Sequence, residues 1–192
     1  MSRNWTRRRW LSTVLSAGAG VTLARAGICQ QPSAAAADVA KLPERSIELF
    51  NTHTNETVSV VFKRGDSYQD DALAALKNVL RDHRNGQSHE MDAGLYDQLY
   101  DLALAAKCES RYEIISGYRS PESNDKMSSR PGSGVARKSL HMQGRAMDVR
   151  LKNYSCEMLR DLALAAKRGG VGYYQRSNFV HLDTGPFRSW VG

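Results

Sequence analysis

Two histidines and one aspartate have the types and the spacing of a metal site. His141 and Asp148 lie seven residues apart in SLHMQGRAMDVRL, and His181 lies in the largely apolar run NFVHLD. Two imidazoles and one carboxylate are a catalytic zinc set, in which the fourth position is left to water. Such an ion would lower the pKa of that water and polarise a carbonyl group. A hydrogen-bonded histidine–aspartate pair between two strands is the structural alternative.

Two predicted strands would have to bring these side chains together. Side chains alternate along a strand, so His181 and Asp183 share one face of FVHLD. A histidine in an apolar strand is costly to bury unless it is bonded to a partner. Burying Asp148 within the predicted strand AMDVRL is costly for the same reason. Gly144 permits a tight turn just before that strand.

The rest of the chain predicts a mixture of strands and helices. The runs SIELFNTH and TVSVVFKR predict an N-terminal β-hairpin. Helices are predicted to begin near Asp70, Asp92 and Ser155, and His83 is predicted to continue the apolar face of the first helix. Residues 120–138 are rich in Ser, Gly, Pro and Asn, and they predict a long irregular segment.

The first 37 residues have the composition of an export signal. They carry five arginines and no acid, and without them the formal charge of the chain falls from +7 to +2. The high pI is therefore no evidence for nucleic-acid binding. TRRRWL resembles a twin-arginine signal, and the apolar stretch after it is too short to span a bilayer. Basic residues also begin ordinary secretory signals, so the general secretory route is the alternative.

These features predict a signal peptide over residues 1–37 and a single domain over residues 38–192. The protein is then expected in the periplasm or cell envelope, without a stable membrane anchor after cleavage. Two cysteines, Cys108 and Cys156, remain in the domain. An oxidising compartment permits a disulfide between them, and two separate thiols are the alternative.

The stretch SLHMQGRAMD fits the pattern S-x-H-x-x-G-x-A-x-D of a superfamily of zinc peptidases. This superfamily includes D-alanyl-D-alanine carboxypeptidases, the VanX dipeptidase and, as a related fold, the Hedgehog signalling domain. Together with the hairpin, ISGYRSPESN and GGVGYYQRSNFVHLDTGPFRSW, the stretch resembles the YcbK/MepK-like murein endopeptidases. The resemblance implies zinc held by His141, Asp148 and His181, and a substrate drawn from peptidoglycan stem peptides. It also implies an α+β fold, with a small antiparallel sheet and flanking helices.

The same resemblance suggests roles for residues around the site. Arg119 resembles a clamp for a substrate carboxylate, since a guanidinium can bind both carboxylate oxygens; a surface ion pair is its alternative. Ser139 resembles a substrate-contacting serine, or it caps the local turn. Several relatives have a glutamate base three residues before the last histidine, where this chain has Asn178. Asp183 is then the nearest acid, either as general base or as a residue that orients a ligand histidine.

The sequence therefore predicts an exported zinc metallopeptidase with Zn²⁺ as its cofactor. It would be a murein DD- or LD-endopeptidase, or a carboxypeptidase, that hydrolyses cross-links or stem-peptide bonds of peptidoglycan. The alternative is a non-catalytic module that contains zinc and binds peptidoglycan or a protein. The missing glutamate is the feature that favours this alternative.

Overall fold

The computed structural model describes residues 43–192, so the predicted signal peptide lies outside the described part of the chain. The strands of this part are β1 (Glu44–Asn51), β2 (Thr57–Arg64), β3 (Ser67–Tyr68), β4 (Arg111–Ser116), β5 (Ala146–Leu151), β6 (Gly170–Tyr174), β7 (Phe179–Asp183) and β8 (Arg188–Val191). Its helices are α1 (Asp70–Val79), α2 (Ala93–Ala105), α3 (Pro121–Ser128) and α4 (Cys156–Ala166), with a 3-10 helix at Leu140–Gln143.

All eight strands join one mixed sheet in the order β3-β2-β1-β4-β5-β7-β6-β8. The α+β class is as predicted, but the prediction of a small antiparallel sheet is wrong in both size and strand direction. β1 pairs with β4 in parallel, and β6 pairs with β8 in parallel. A parallel pair needs a long crossover connection, and α1 and α2 provide it between β1 and β4.

The central strands separate an apolar face from a polar one. Met147 and Val149 of β5 and Val180 and Leu182 of β7 are buried in the hydrophobic core. α4 contacts both strands, so these side chains pack beneath it. Burying one such side chain contributes about 1.5–3 kcal/mol. The residues that alternate with them, Asp148 and His181 among them, lie on the opposite face, where the candidate site is built.

The predicted hairpin is confirmed, because β1 and β2 are antiparallel neighbours. The prediction that His83 continues the face of the first helix is wrong, since α1 ends at Val79. Beyond it the chain turns, with the N–H groups of Asn85 and Gly86 donating to the carbonyl of Asp82, whose buried carboxylate accepts hydrogen bonds from the backbone and the hydroxyl of Ser120. His83 instead stacks on His53, with ring centroids 3.8 Å apart.

The segment 120–138 is not irregular throughout, as the sequence predicts, because it begins with α3. The Ser120 hydroxyl accepts the N–H of Ser123, and Pro121 occupies the first turn. Both are ordinary signals for the start of a helix.

Cys108 and Cys156 are free, so the disulfide is absent from the described part. Across residues 43–192, no helix has the length and apolar character needed to span a membrane.

Gly144 ends the 3-10 helix in the left-handed conformation, with φ of 65°. A Cβ atom at this position would lie 2.0 Å from the carbonyl oxygen of Glu90. We expect Gly144→Ala to lower the free energy of unfolding by roughly 2–5 kcal/mol, through backbone strain and the clash together. Urea unfolding measures this loss.

Gly86→Ala is the matched control. There φ is 76°, but the added Cβ meets nothing within 4 Å, so the free energy of unfolding should fall by roughly 1 kcal/mol. Equal losses in the two variants would contradict the role of the Glu90 contact.

Candidate metal centre

His141, Asp148 and His181 lie together at the floor of a cleft. His141 belongs to the 3-10 helix, while Asp148 and His181 face each other as register partners on β5 and β7. Nε2 of His141 lies 3.3 Å from Nδ1 of His181, and these atoms lie 3.3 and 2.9 Å from Oδ1 of Asp148. All three residues are buried. The structure therefore brings together the three side chains singled out in the sequence, each with one ligand atom toward a common point.

In each histidine, the ring nitrogen that faces away from the common point is already hydrogen-bonded. This contact determines where the lone pair of the other ring nitrogen points. Nδ1 of His141 lies 2.8 Å from the carbonyl oxygen of Gly117 and donates to it. Nε2 of His181 lies 3.1 Å from Oδ2 of Asp183 and donates to that carboxylate. When both rings are neutral, each presents a lone pair to the other ring and to Asp148. Three acceptors that face one another repel unless a proton or a cation lies among them.

The spacing of these three atoms fits a metal ion. Ligand atoms bound tetrahedrally at 2.0–2.1 Å are separated by about 3.3 Å. The observed separations are 2.9 to 3.3 Å. Hydrogen bonds from ligand histidines to a carbonyl and a carboxylate are also the usual outer contacts of zinc sites. The donor set and its surroundings therefore fit a divalent ion such as Zn²⁺.

The pKa values of the three side chains show how strongly these groups interact. Burial disfavours a charged imidazole and lowers the pKa of His141. Burial opposes charge on His181 as well, but its hydrogen bonds with Asp148 and Asp183 outweigh that effect and raise its pKa to about 8. Burial would raise the pKa of Asp148, yet contacts with both histidines hold it well below the usual range. Asp148 is therefore ionised, as a metal ligand must be.

Asp183 is completely buried, and both of its oxygens are occupied. Oδ1 accepts the backbone N–H groups of Gly170 and Gly185, each at 2.8 Å. Oδ2 accepts from His181 and, at 2.6 Å, from Arg188. Burial opposes ionisation, but these donors outweigh it and hold the pKa of Asp183 well below its usual range. Of the two roles considered for Asp183, this geometry favours orienting His181 over accepting a proton from water.

Replacing Asp183 by asparagine distinguishes those two roles. An amide keeps the shape of the side chain but holds the His181 ring less firmly and does not make it more basic. We expect Asp183→Asn to weaken zinc affinity about 10–100-fold, the usual cost of losing an outer-shell partner. Competition with a chromophoric chelator measures the affinity. A variant that binds zinc like the wild type but has lost turnover would instead make Asp183 the general base.

Arg119 lies beside the three ligands and has weak contacts within the fold. It is buried, and one guanidinium nitrogen lies 3.8 Å from Oδ2 of Asp148. Its hydrogen bonds to Ser116 and Asn124 are long, at 3.4 and 3.5 Å, and among the described residues Nε has no partner. Burial lowers the pKa of Arg119 from its ordinary value. Because Arg119 lines the cleft and its contacts within the fold are weak, its guanidinium can donate to a carboxylate that enters the cleft.

Ser139 and Asn178, the two remaining positions singled out in the sequence, lie differently with respect to the cleft. Ser139 lines the cleft, and its hydroxyl also accepts the N–H of His141 at 3.4 Å, so it caps the 3-10 helix. Asn178 has a positive φ of 51° in the turn before β7. It lines a separate cavity beside Arg150 and Cys156. Position 178 is therefore outside the lining of the metal cleft, and a glutamate there would have to extend from outside it.

The cleft above the ligands has a volume of about 590 Å³. Within residues 43–192, Asp148 is the one carboxylate in its lining, whereas four of the lining residues are cationic: Arg84, Arg119, Lys138 and Arg188. Tyr174 and Trp190 also line it, and neither was singled out from the sequence. The alternation in GVGYY places Tyr174 on the face of Gly172, which pairs with His181, and could have indicated its position.

The comparisons with known proteins identify the class of protein, a peptidase. Residues 39–190 match the family model described as Peptidoglycan L,D-endopeptidase MepK. The chain is 41% identical over 159 residues to the Escherichia coli K12 protein named peptidoglycan L,D-endopeptidase MepK, covering 83% of this chain and 87% of that protein. It is 34% identical over 187 residues to the Haemophilus influenzae protein named "Probable peptidoglycan L,D-endopeptidase MepK", covering 97% and 96%. No solved structure gives a significant match.

The chain therefore belongs to the peptidoglycan L,D-endopeptidase MepK family, within the superfamily of peptidases that its sequence resembles.

Proposed function

We propose that this protein is an exported, zinc-dependent endopeptidase that hydrolyses peptide cross-links of peptidoglycan. The observation that carries the proposal is the convergence of His141, Asp148 and His181 on one point at the floor of a cleft, in a chain of this family. The names of the relatives supply the substrate and the LD type of bond.

Each of the principal residues at the cleft has its own proposed role in hydrolysis. His141 and His181 would hold zinc through Nε2 and Nδ1, and Asp148 through Oδ1. When bound, zinc supplies a water of lowered pKa and a Lewis acid for the carbonyl. Arg119 grips a carboxylate of the substrate and so fixes the position of the scissile amide. Asp183 keeps the His181 ring in one tautomer and one orientation.

Digestion of purified peptidoglycan tests this function directly. We expect the zinc-loaded protein to convert cross-linked muropeptides into uncross-linked ones, as measured by chromatography and mass spectrometry of the products. Treatment with a chelator should stop the conversion, and added zinc should restore it. The mass of the products identifies the bond that is cut.

A non-catalytic zinc module is the second candidate, and one observation favours it. Within residues 43–192, the cleft contains no carboxylate besides the ligand Asp148, so it lacks an obvious general base. Bound zinc together with unchanged cross-linked muropeptides in the digest would establish the binding module. Disappearance of the cross-linked species would eliminate it.

Export through the twin-arginine route is the part of the proposal that rests on the sequence alone. Arg7 and Arg8 form the arginine pair of the motif TRRRWL. We expect Arg7→Lys together with Arg8→Lys to leave the precursor in the cytoplasm, as detected by fractionation and immunoblotting. Unchanged processing in a strain that lacks the twin-arginine translocase would point to the general secretory route instead.

A further inference from the structure

Three aromatic side chains form one wall of the cleft beside His181. Tyr174, the last residue of β6, pairs with Phe179 of β7, and their rings stack with centroids 4.5 Å apart. Trp190 of β8 lies next to them, and its ring centroid is 5.1 Å from that of His181. All three line the cleft that contains the candidate metal ligands. This aromatic wall is therefore directly adjacent to the site of the reaction.

A glycine in β6 determines where the indole of Trp190 lies. Gly172 and Trp190 are register partners on β6 and β8. A Cβ atom at Gly172 would lie 2.5 Å from a carbon of the indole ring, so the ring occupies the space that a side chain would fill. In that position Nε1 of Trp190 donates a hydrogen bond to the Tyr174 hydroxyl at 3.1 Å. Tyr174 is thus held by the stacking of its ring on Phe179 and by the hydrogen bond from the indole to its hydroxyl.

The hydrogen bond from Trp190 determines what the Tyr174 hydroxyl can do. A phenol has one O–H to donate and lone pairs to accept, and the indole N–H already occupies a lone pair. Among residues 43–192 the proton of this hydroxyl has no acceptor, although the side chain lines the cleft. An oriented donor without a partner, on the wall of a catalytic cleft, is available to the substrate.

We propose that Tyr174 is a catalytic residue that donates a hydrogen bond to the carbonyl oxygen of the scissile amide, and that Trp190 positions it. This inference rests on the proposed peptidase function. Negative charge develops on the carbonyl oxygen when water adds to the carbonyl carbon, and a donor already in place stabilises that charge. Tyr174 keeps its proton throughout. One water is consumed and the C–N bond breaks. The water oxygen ends in the product carboxylate, and both water protons end on the leaving nitrogen, which becomes an ammonium group.

Tyr174→Phe tests the donor, because it removes the hydroxyl and keeps the ring that stacks on Phe179. We expect kcat on cross-linked muropeptides to fall about 10²–10³-fold, the effect of losing one such donor, with KM nearly unchanged. The matched control is Tyr173→Phe. Tyr173 points to the other face of β6, where it contacts the guanidinium of Arg160, so its variant should retain wild-type kcat. Wild-type kcat in Tyr174→Phe would overturn the proposal.

Trp190→Phe tests the positioning role separately. The phenyl ring keeps an aromatic contact beside His181 but removes the indole N–H, so the tyrosine hydroxyl rotates freely. We expect kcat to fall about tenfold, the effect of losing one positioning hydrogen bond, with one zinc still bound per chain. Trp190 acts through Tyr174, so the double variant should be no slower than Tyr174→Phe alone. Effects that multiply in the double variant would contradict this coupling.

Binding of a phosphinic pseudo-dipeptide gives a readout independent of turnover, since its charged oxygens resemble the oxygen that Tyr174 is proposed to contact. By calorimetry, the zinc-loaded Tyr174→Phe variant should bind this compound at least about tenfold more weakly than Tyr173→Phe does. Equal affinities would overturn the inference. If the zinc-loaded wild type binds the compound but leaves cross-linked muropeptides intact, the proposed peptidase function fails, and the catalytic role of Tyr174 fails with it. If the wild type cleaves them and the two variants bind the compound equally, only the role of Tyr174 fails.

Discussion

His141→Ala is expected to abolish zinc binding and, with it, cleavage of cross-linked muropeptides. The side chain supplies one of three converging ligand atoms, and its ring is fixed by the carbonyl of Gly117. Losing a direct ligand should weaken zinc affinity well beyond the 10–100-fold cost of losing an outer-shell partner. Metal analysis of the purified variant should therefore show far less than one zinc per chain.

His89→Ala is the matched control for this experiment. His89 is exposed and stacks on Tyr118, with ring centroids 5.1 Å apart. Its loss should leave one zinc per chain and wild-type cleavage. Circular dichroism should show that His141→Ala still folds, because the core lies on the other face of the sheet. One zinc per chain in a folded His141→Ala variant would contradict the ligand role.

The residues of the candidate metal centre could be singled out from the sequence because local patterns point to them and a family resemblance supports the same three. A polar residue in an apolar strand is conspicuous, and strand alternation correctly placed His181 and Asp183 on one face. The same alternation places Asp148 opposite His181 once β5 and β7 pair. The sequence could not supply the outer contact of His141, because the carbonyl of Gly117 reaches it from a loop 24 residues earlier.

The sheet was harder to predict, because strand neighbours are a non-local property. β1 pairs in parallel with β4, so Glu48 lies beside Arg111, and no periodicity within either segment indicates that partner. β8 has four residues that are mostly exposed, and it lacks the apolar pattern of a core strand. The few buried residues of α3 are polar, so its sequence lacks the apolar spacing that indicates a helix. The capping residues at its start were then too little to predict it.

Arg119→Ala is expected to impair cleavage while leaving zinc in place. The guanidinium lies 3.8 Å from Asp148, its hydrogen bonds to Ser116 and Asn124 are long, and the side chain lines the cleft, so a substrate carboxylate can become its stronger partner. Truncating one member of a buried charge pair costs about 2–5 kcal/mol, so kcat/KM should fall at least about 30-fold. Zinc content should stay at one per chain, because Arg119 is not a ligand. Arg119→Lys should recover part of the loss, since an ammonium keeps the charge but not the two-pronged geometry.

The identity of the group that Arg119 binds can be tested by changing the substrate as well. If the guanidinium grips a carboxylate, amidating that carboxylate should slow the wild type and add little to the defect of Arg119→Ala, because both changes remove the same contact. Muropeptides amidated at single carboxylates would show which of them pairs with Arg119. A full additional loss in the variant for every amidated substrate would rule out the clamp. Arg119 would then act by holding Asp148, and the weakened zinc affinity of Arg119→Ala would show it.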